Sequence, residues 1–486
     1  MDADRSRFLA ELHSNPLSTP MKKLSSQRFT VVDWLYGATL LATLAAGGTA
    51  ACAALREQEF MAAFLESDLF VVYGDLGLVL APLSALLLVW RVWLASRYRA
   101  FAPAPDEALP TVAVVIPAYN EGAQVLSTIR SVMASDYPAH KMRVVCVDDG
   151  SRDDTWHWMR QAAAQFPQRV RLVRLAKNGG KRHALLAGFA DADEEVFVTI
   201  DSDSEILPDT LRHLTSPMAA SPQVGAVAGN VRVLNLAGGP IPKMLEVSFA
   251  LSFDFLRRGQ SVYGGVMCTP GALSAYRAAL VVPELAAWAD QTFLGRPANI
   301  GEDRALSNIV LGKGARVVYQ HAAVVFTNIP EGYRGLSRML LRWARSNVRE
   351  CLEMARFLWR PLRKGHDGAG WLRLSGVLEL AFLPLTEAFK VALLLKVLLH
   401  PLVALQVLIL GCASAATVPA IVYHQRRPGL FGWKWSLCYN FFWLFGLSWI
   451  SLWGLWSAGC SGWLTRRLPQ TPTSGVPALE EQREAA

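Results

Sequence analysis

Asp201 and Asp203 stand one residue apart in VTIDSDSEILPD, directly after the apolar run Val196 to Ile200 that only Thr199 interrupts. Such a run reads as a buried strand, and the carboxyl edge of an open α/β sheet is where these folds take ligands. Two hard oxygen donors there suit Mg2+ or Mn2+ and leave coordination positions for a substrate's phosphates. Asp-x-Asp also serves as a turn or a helix cap, so the pair needs supporting residues. Glu121 follows the strand pattern of TVAVVIPAYNEG, Asp148 and Asp149 end that of MRVVCVDDGS, and Lys177 and Lys181 flank Gly179 and Gly180. Each alone is a cap, a turn or a solvated loop. Together they set carboxylates beside cations, with glycines that let the backbone approach phosphate oxygens.

The elements that must position these groups alternate. A strand from Thr111 is followed by a helical run from Ala123 to Ala134, a strand ending at Asp148 and Asp149, a helix to Phe166, and RVRLVRLAKNGGKRHALLAGF before the strand at Val196. Alternation predicts parallel strands joined by right-handed crossovers, which brings every polar motif to one edge of one sheet.

A composition of 52% hydrophobic and 18% charged residues over 486 positions reads as a membrane protein. The apolar excess lies at the ends, in Val31 to Leu55, Leu69 to Ala95, Leu374 to Leu399, Leu402 to Tyr423 and Trp435 to Leu464. Each is long enough for a helix across a hydrocarbon core of ~30 Å. The polar leader carries Arg5, Arg7, Lys22, Lys23 and Arg28, whereas the loop after the first run carries Glu57, Glu59, Glu66 and Asp68 against Arg56 alone. Basic flanks mark the cytoplasmic side, which places the leader and the central region there and the acidic loop outside. Leu374 to Leu399 holds Glu379, Glu387, Lys390 and Lys396, so it either packs around a polar pathway or lies partly in the interface. The net charge of +8 sits beside the apolar runs and no nucleic-acid motif appears, which points to an anionic membrane surface or nucleotide and to no nucleic acid. The seven cysteines show no Cys-x-x-Cys pair and are expected reduced and buried, with Cys268 alone inside a motif.

Ala118 to Glu121, Asp148 to Ser151, Gly180 to Arg182, Asp201 to Asp203, Gly301-Glu302-Asp303-Arg304 and Arg342-Trp343 form an ordered series. It resembles that of the family 2 membrane glycosyltransferases, and within them the hyaluronan synthases and the chitin-oligosaccharide synthases of nodulation. Gln291 to Gln320 and Arg342 to Glu350 are especially similar to hyaluronan synthase, and the resemblance spans about Val112 to Glu350. It implies an α/β GT-A (Rossmann-like) cytoplasmic glycosyltransferase domain over 111–330, with transmembrane α-helices on both flanks. Around that domain stand a cytoplasmic leader (1–30), two transmembrane helices (31–99), interfacial amphipathic helices (331–372), C-terminal transmembrane helices (374–464) and a disordered tail (465–486).

Residue by residue, the resemblance implies that Asp148 contacts uridine, that Asp201 and Asp203 hold the nucleotide and its Mg2+ or Mn2+ with Asp203 as metal ligand, and that Lys181 lies near the diphosphate. Tyr119, Glu121 and Glu302 would join the substrate site, Asp303 would be the general base, Arg342 would face the pyrophosphate, and Cys268 would contact the acceptor's terminal sugar. Trp343 would stack on the acceptor; read without the family, it anchors an amphipathic helix beside Met339, Leu340 and Leu341. Asp303, read the same way, pairs with Arg304 and caps the helix of Ala305 to Leu311. Leaving-group charge to neutralise and an acceptor proton to remove match these residue types.

Two departures stand out. The family's Gln-x-x-Arg-Trp has Met339 in place of its Gln, and the loop after Cys268 has Thr269, Pro270 and Gly271 in reordered positions, which is expected to move the site of positive φ. The implied activity is an inverting, multi-pass inner-membrane enzyme. It would polymerise UDP-sugars into an exported β-linked polysaccharide, hyaluronan-like or N-acetylglucosamine-containing. The alternatives are a chitin-oligosaccharide or other exopolysaccharide synthase, or a weakened nucleotide-binding subunit of a secretion complex.

Overall fold

The computed structural model describes residues 83–363, 368–399, 401–426, 432–460 and 479–480. The leader, the apolar run from Val31 to Leu55, the first part of the next run and most of the tail lie outside these residues.

Helix α1 (83–96) leads into a mixed sheet built from β1 (Val112–Ala118), β2 (Met142–Asp148), β3 (Val170–Leu175), β4 (Val196–Ile200), β5 (Ser204–Ile206), β6 (Val224–Val233), β7 (Leu273–Arg277) and, beyond a two-residue hairpin of β8 (Thr292–Phe293) and β9 (Arg296–Pro297), β10 (Arg316–Thr327). The order is β3-β2-β1-β4-β7-β6-β10-β5, with the Leu479–Glu480 pair added outside β3. Every residue of β1 and β4 is buried, as β-branched strands are when helices cover both faces. Val112, Val114 and Ile116 point into one core with Val125, Ile129 and Leu211. Ala113 and Val115 point into the other with Leu185, Phe189 and Leu306.

The expected parallel sheet holds for β1 to β4. Strand β7, however, runs antiparallel to both β4 and β6. The reason is positional. Val233 leaves the sheet and Leu273 re-enters it at the same edge, since Leu273 pairs with Ile200 at the end of β4. The whole segment between β6 and β7 therefore lies over the carboxyl edge instead of crossing back along a face, and it roofs the motif residues.

After β10, one amphipathic helix of 26 residues, α9 (Tyr333–Leu358), carries the Arg-Trp pair. It packs on α8 (Glu302–Gly312), on α10 (Ala369–Leu399) and on α13 (Trp449–Trp456). Helices α11 (Pro401–Arg426) and α12 (Gly432–Phe442) complete the carboxyl end. Among the described residues no helix is long and apolar enough to cross a membrane. Three of the charges that interrupt Leu374 to Leu399, Glu379, Glu387 and Lys390, are paired. Arg304 Nη2 donates to Glu379 Oε2 at 2.6 Å, and Lys390 lies 2.6 Å from Glu387 with Ser451 bonded to both. All the described cysteines are free; Cys146, Cys351 and Cys412 are buried and Cys268 half-buried, but Cys438 and Cys460 are exposed, against the expectation of burial. Cys438 lies on α12, and Cys460 lies four residues beyond the end of α13.

Candidate active site

The first two βα turns are tied together. Asn120 N–H donates to Ser151 Oγ at 3.0 Å, and Glu121 and Gly122 N–H both donate to Thr155 Oγ1 at 2.8 and 2.9 Å. Tyr119 and Glu121 are thereby held at the rim of a cavity of about 760 Å³ that runs along the carboxyl edge of the sheet. Asp148 does not reach it. Its carboxylate is fully buried, accepts from Ser151 N–H at 2.9 Å and lies 3.3 Å from Arg174 Nε. The neighbouring Asp149 is on the cavity wall instead, and it accepts from the N–H groups of Gly179 and Gly180, each at 2.8 Å. Asp149 therefore shapes the glycine loop that leads into helix α4 (Lys181–Ala190). Its place one residue past the strand end, where the chain turns, was the available sign in the sequence. Lys177 is exposed and outside the cavity.

Lys181 opens α4, so its ammonium and the helix's free N–H groups share one place. Nζ pairs with Asp201 Oδ1 and lies 3.0 Å from Glu302 Oε1. Burial opposes this charge, but Asp201 and then Glu302 outweigh it and raise the Lys181 pKa. Burial would also raise Glu302, yet Lys181 and then Arg342 hold that carboxyl low. Gly271 leaves room for the ammonium: a Cβ there would stand 2.6 Å from Lys181 Nζ and push it off its two carboxylates. Its φ is not positive, so the reordered Thr269-Pro270-Gly271 loop changes clearance and not, as expected, the site of positive φ.

Asp303 sits in the first turn of α8. Oδ1 accepts from Arg304 N–H at 2.7 Å, and Oδ2 accepts from Gly271 N–H at 3.2 Å with the Cys268 thiol 3.9 Å away. The Arg304 side chain turns away to Glu379, Asn347 and Cys351, so no ion pair with Arg304 consumes the carboxylate. Burial, and after it the Glu302 charge, raises the Asp303 pKa. A carboxyl shifted toward neutrality and facing a cavity fits a general base. Burial and then Asp303 push the Cys268 thiol up to about 12, so it acts as a neutral wall and not as a nucleophile.

Gly301, with φ +82, caps α8, and a Cβ there would overlap Ser346 Oγ on α9. Gly301→Ala is expected to cost ~1–3 kcal/mol of stability and to lower turnover by moving Asp303 away from the Arg-Trp helix. Chemical denaturation and a transfer assay on the same preparation check both.

On α9, Arg342 and Trp343 line the cavity, as does the buried Met339. Trp343 stands 6.4 Å from each of the Phe249 and Phe253 rings, which are also on the wall. The cavity continues past them to Tyr439, Trp443 and Ser451 on the carboxyl-terminal helices. Of the residues singled out in the sequence, Tyr119, Glu121, Lys181, Asp201, Asp203, Cys268, Glu302, Asp303, Arg342 and Trp343 meet on this surface, and Asp148 does not. Sequence reading grouped Asp149 with Asp148 at the strand end but gave the site role to Asp148, and it missed Asn178, Phe249, Phe253, Arg257 and the aromatic residues of α12 and beyond.

The family described as Glycosyltransferase like family 2 matches residues 110–346. The chain is 30% identical over 387 residues to an N-acetylglucosaminyltransferase of Rhizobium meliloti, a match covering 77% of this chain and 85% of that protein. It belongs to glycosyltransferase family 2. This glycosyltransferase is also 33% identical over 270 residues to the hyaluronan synthase of Streptococcus pyogenes, covering 54% of this chain and 63% of that one. Its fold is that of a Pyrobaculum calidifontis mannosyltransferase solved with GDP-Man and Mn2+, at TM-score 0.55 and 25% identity over 78% of this chain and 97% of the other. The sheet is thus a GT-A domain, and the chain is an enzyme that transfers a sugar.

Proposed function

We propose that this glycosyltransferase polymerises UDP-sugars into a β-linked polysaccharide, hyaluronan-like or containing N-acetylglucosamine, at the inner membrane. One observation carries the reading: a single cavity joins the Lys181-Asp201-Glu302 set, the buried Asp303 and an aromatic wall that continues into the carboxyl-terminal helices. Transfer of one sugar to a small acceptor needs no such extension, whereas a growing chain needs a path away from the base. The relatives named N-acetylglucosaminyltransferase and hyaluronan synthase support the choice of donor.

The donor's diphosphate would lie against Lys181, Arg342 and the N-terminus of α4. The acceptor hydroxyl oxygen attacks the anomeric carbon, the bond to the diphosphate oxygen breaks, UDP leaves, and the hydroxyl proton passes to Asp303. A single displacement inverts the anomeric centre.

Asp203 and Asp201 fit Mg2+ or Mn2+. The Asp203 carboxylate takes the Ser204 and Thr327 hydroxyls at 3.4 and 3.3 Å, long contacts that a divalent cation would displace. Among the described residues no three His, Cys, Asp or Glu side chains gather as a metal site; a cation held by these two carboxylates would take phosphate and water as its remaining ligands. When bound, it would neutralise charge on the departing diphosphate.

The apolar runs at both ends would embed the chain as a multi-pass protein with the catalytic domain cytoplasmic and the acidic loop outside. The test uses the full chain in lipid nanodiscs with Mn2+, offered UDP-N-acetylglucosamine and UDP-glucuronate singly and together, with UDP release and product size recorded. UDP release accompanied by a polymer that hyaluronidase or chitinase digests is expected. UDP release with no product longer than a disaccharide would refute polymerisation.

A further inference from the structure

Among the described residues one cation in the cavity, Arg257, has no hydrogen-bond or ion-pair partner. The segment roofing the carboxyl edge is a helix from Pro240 to Val262 whose middle, Ala250–Phe255, is π-helical. A π-helical turn holds more residues than an α-helical one and is frequent at functional sites. Here it keeps Leu245, Phe249, Phe253 and Arg257, each four positions after the last, on the cavity side in one row. Arg257 is 6% exposed, and its Nη1 is buried without a hydrogen-bond partner. The other large cations at the site each keep a partner, although Arg182, Arg304 and Arg342 also bury a nitrogen without one: Lys181 has Asp201 and Glu302, Arg182 the Trp288 carbonyl and Gln291, Arg304 Glu379, and Arg342 acts on Glu302. Among the described residues, Arg257 makes neither hydrogen bond nor ion pair; its neighbour is the Phe253 ring, 4.3 Å from Cζ.

A guanidinium withdrawn from water without a partner is unfavourable, and a ligand oxygen that satisfies it recovers that loss on binding. Its place says which ligand. Phe253 is shared between Arg257 and Trp343, with Cys268 alongside and Asp303 beyond, whereas the donor-side cations Lys181 and Arg342 act on Glu302. Arg257 thus belongs to the acceptor side of the base. A planar fork of N–H donors favours an sp2 oxygen over a hydroxyl.

We propose that Arg257 is an acceptor-binding residue whose guanidinium donates to an sp2 oxygen, a uronate carboxylate or an acetamido carbonyl, on the sugar packed against Trp343 and Phe253. This rests on the polymerase reading above and adds how the acceptor is recognised.

The test is binding of three tetrasaccharides to the full chain in detergent with UDP present: hyaluronan tetrasaccharide, chitotetraose, and cellotetraose, which has neither group. Losing a charged hydrogen bond is expected to weaken binding of at least one of the first two by about tenfold in Arg257→Met, while cellotetraose and UDP stay within about twofold. Loss confined to the hyaluronan oligosaccharide assigns the carboxylate, with partial recovery in Arg257→Lys; loss that includes chitotetraose assigns the carbonyl. The variant should melt no lower than wild type, because an unpartnered buried charge has been removed. Equal weakening of cellotetraose or UDP, or a fall in melting temperature, would mean that Arg257 only supports the structure. A wild type that makes polymer, beside a variant that binds all three as before, sinks this inference alone; a wild type that binds none of them sinks the polymerase reading with it.

Discussion

Asp303→Asn is expected to lower sugar transfer by about two to four orders of magnitude while UDP binding stays close to wild type. Asp203→Asn is expected to weaken cation-dependent UDP binding as well as transfer. The separation follows from position. Asp303 Oδ2 faces the Cys268 and Gly271 loop on the acceptor side, whereas Asp203 lies past the end of β4 beside Ser204 and Thr327. Calorimetry with UDP and Mn2+ reads the difference, and equal binding loss in the two variants would remove these roles. The pH profile gives a second check. A base works only when ionised, and the Asp303 pKa is raised by burial and then by Glu302, so activity should fall away with acidification at a pH above the ordinary carboxylate range. Glu302→Gln removes the second of these causes and should move that acid limb to lower pH. A limb that does not move would mean another group is titrating.

Lys181→Met is the second large effect. It leaves the Asp201 and Glu302 carboxylates facing each other without their shared cation, and Glu302 is deeply buried. A loss of ~3 kcal/mol in stability is expected, below the upper range for a broken buried pair because Asp201 is partly solvated. The sign with pH is determined by Glu302, whose folded pKa Lys181 holds low. Its contribution is present above the unfolded carboxyl pKa and is lost as pH falls through the folded value, so wild type and variant should converge in acid. Urea titrations at neutral and acid pH measure this. Combining Lys181→Met with Glu302→Gln should cost less than the sum of the single changes, and strict additivity would show that the pair is not coupled.

Much of the scaffold was legible in the sequence because it depends on local pattern. Val196 to Ile200 is a strand over the whole of the predicted range, since five consecutive apolar or β-branched residues have no stable alternative but burial on both faces. The expected helical run from Ala123 to Ala134 is observed over Gln124–Met133 for the same reason of periodicity. The parallel reading of the four strands from Thr111 to Ile200 holds, but it does not extend to β7, which runs antiparallel to its neighbours, or to β5, which runs antiparallel to β10. Nothing local in LSAYR records direction; that is decided by where the preceding segment leaves and re-enters the sheet.

By itself, then, the sequence determined that carboxylates and cations would gather at a sheet edge, because strand ends and glycine turns are properties of neighbouring residues. Only the tertiary structure decided their pairings. It withdrew Asp148 beneath Ser151 and Arg174 and brought Asp149 to the wall, since which of two adjacent side chains faces a cavity depends on strand twist and on the loop opposite. It joined Lys181 to both Asp201 and Glu302, and Arg304 to Glu379, contacts between segments that the sequence keeps far apart. It also left Arg257 buried with no hydrogen bond or ion pair among the described residues, because the absence of a partner is a property of the whole surrounding fold, which no run of residues encodes.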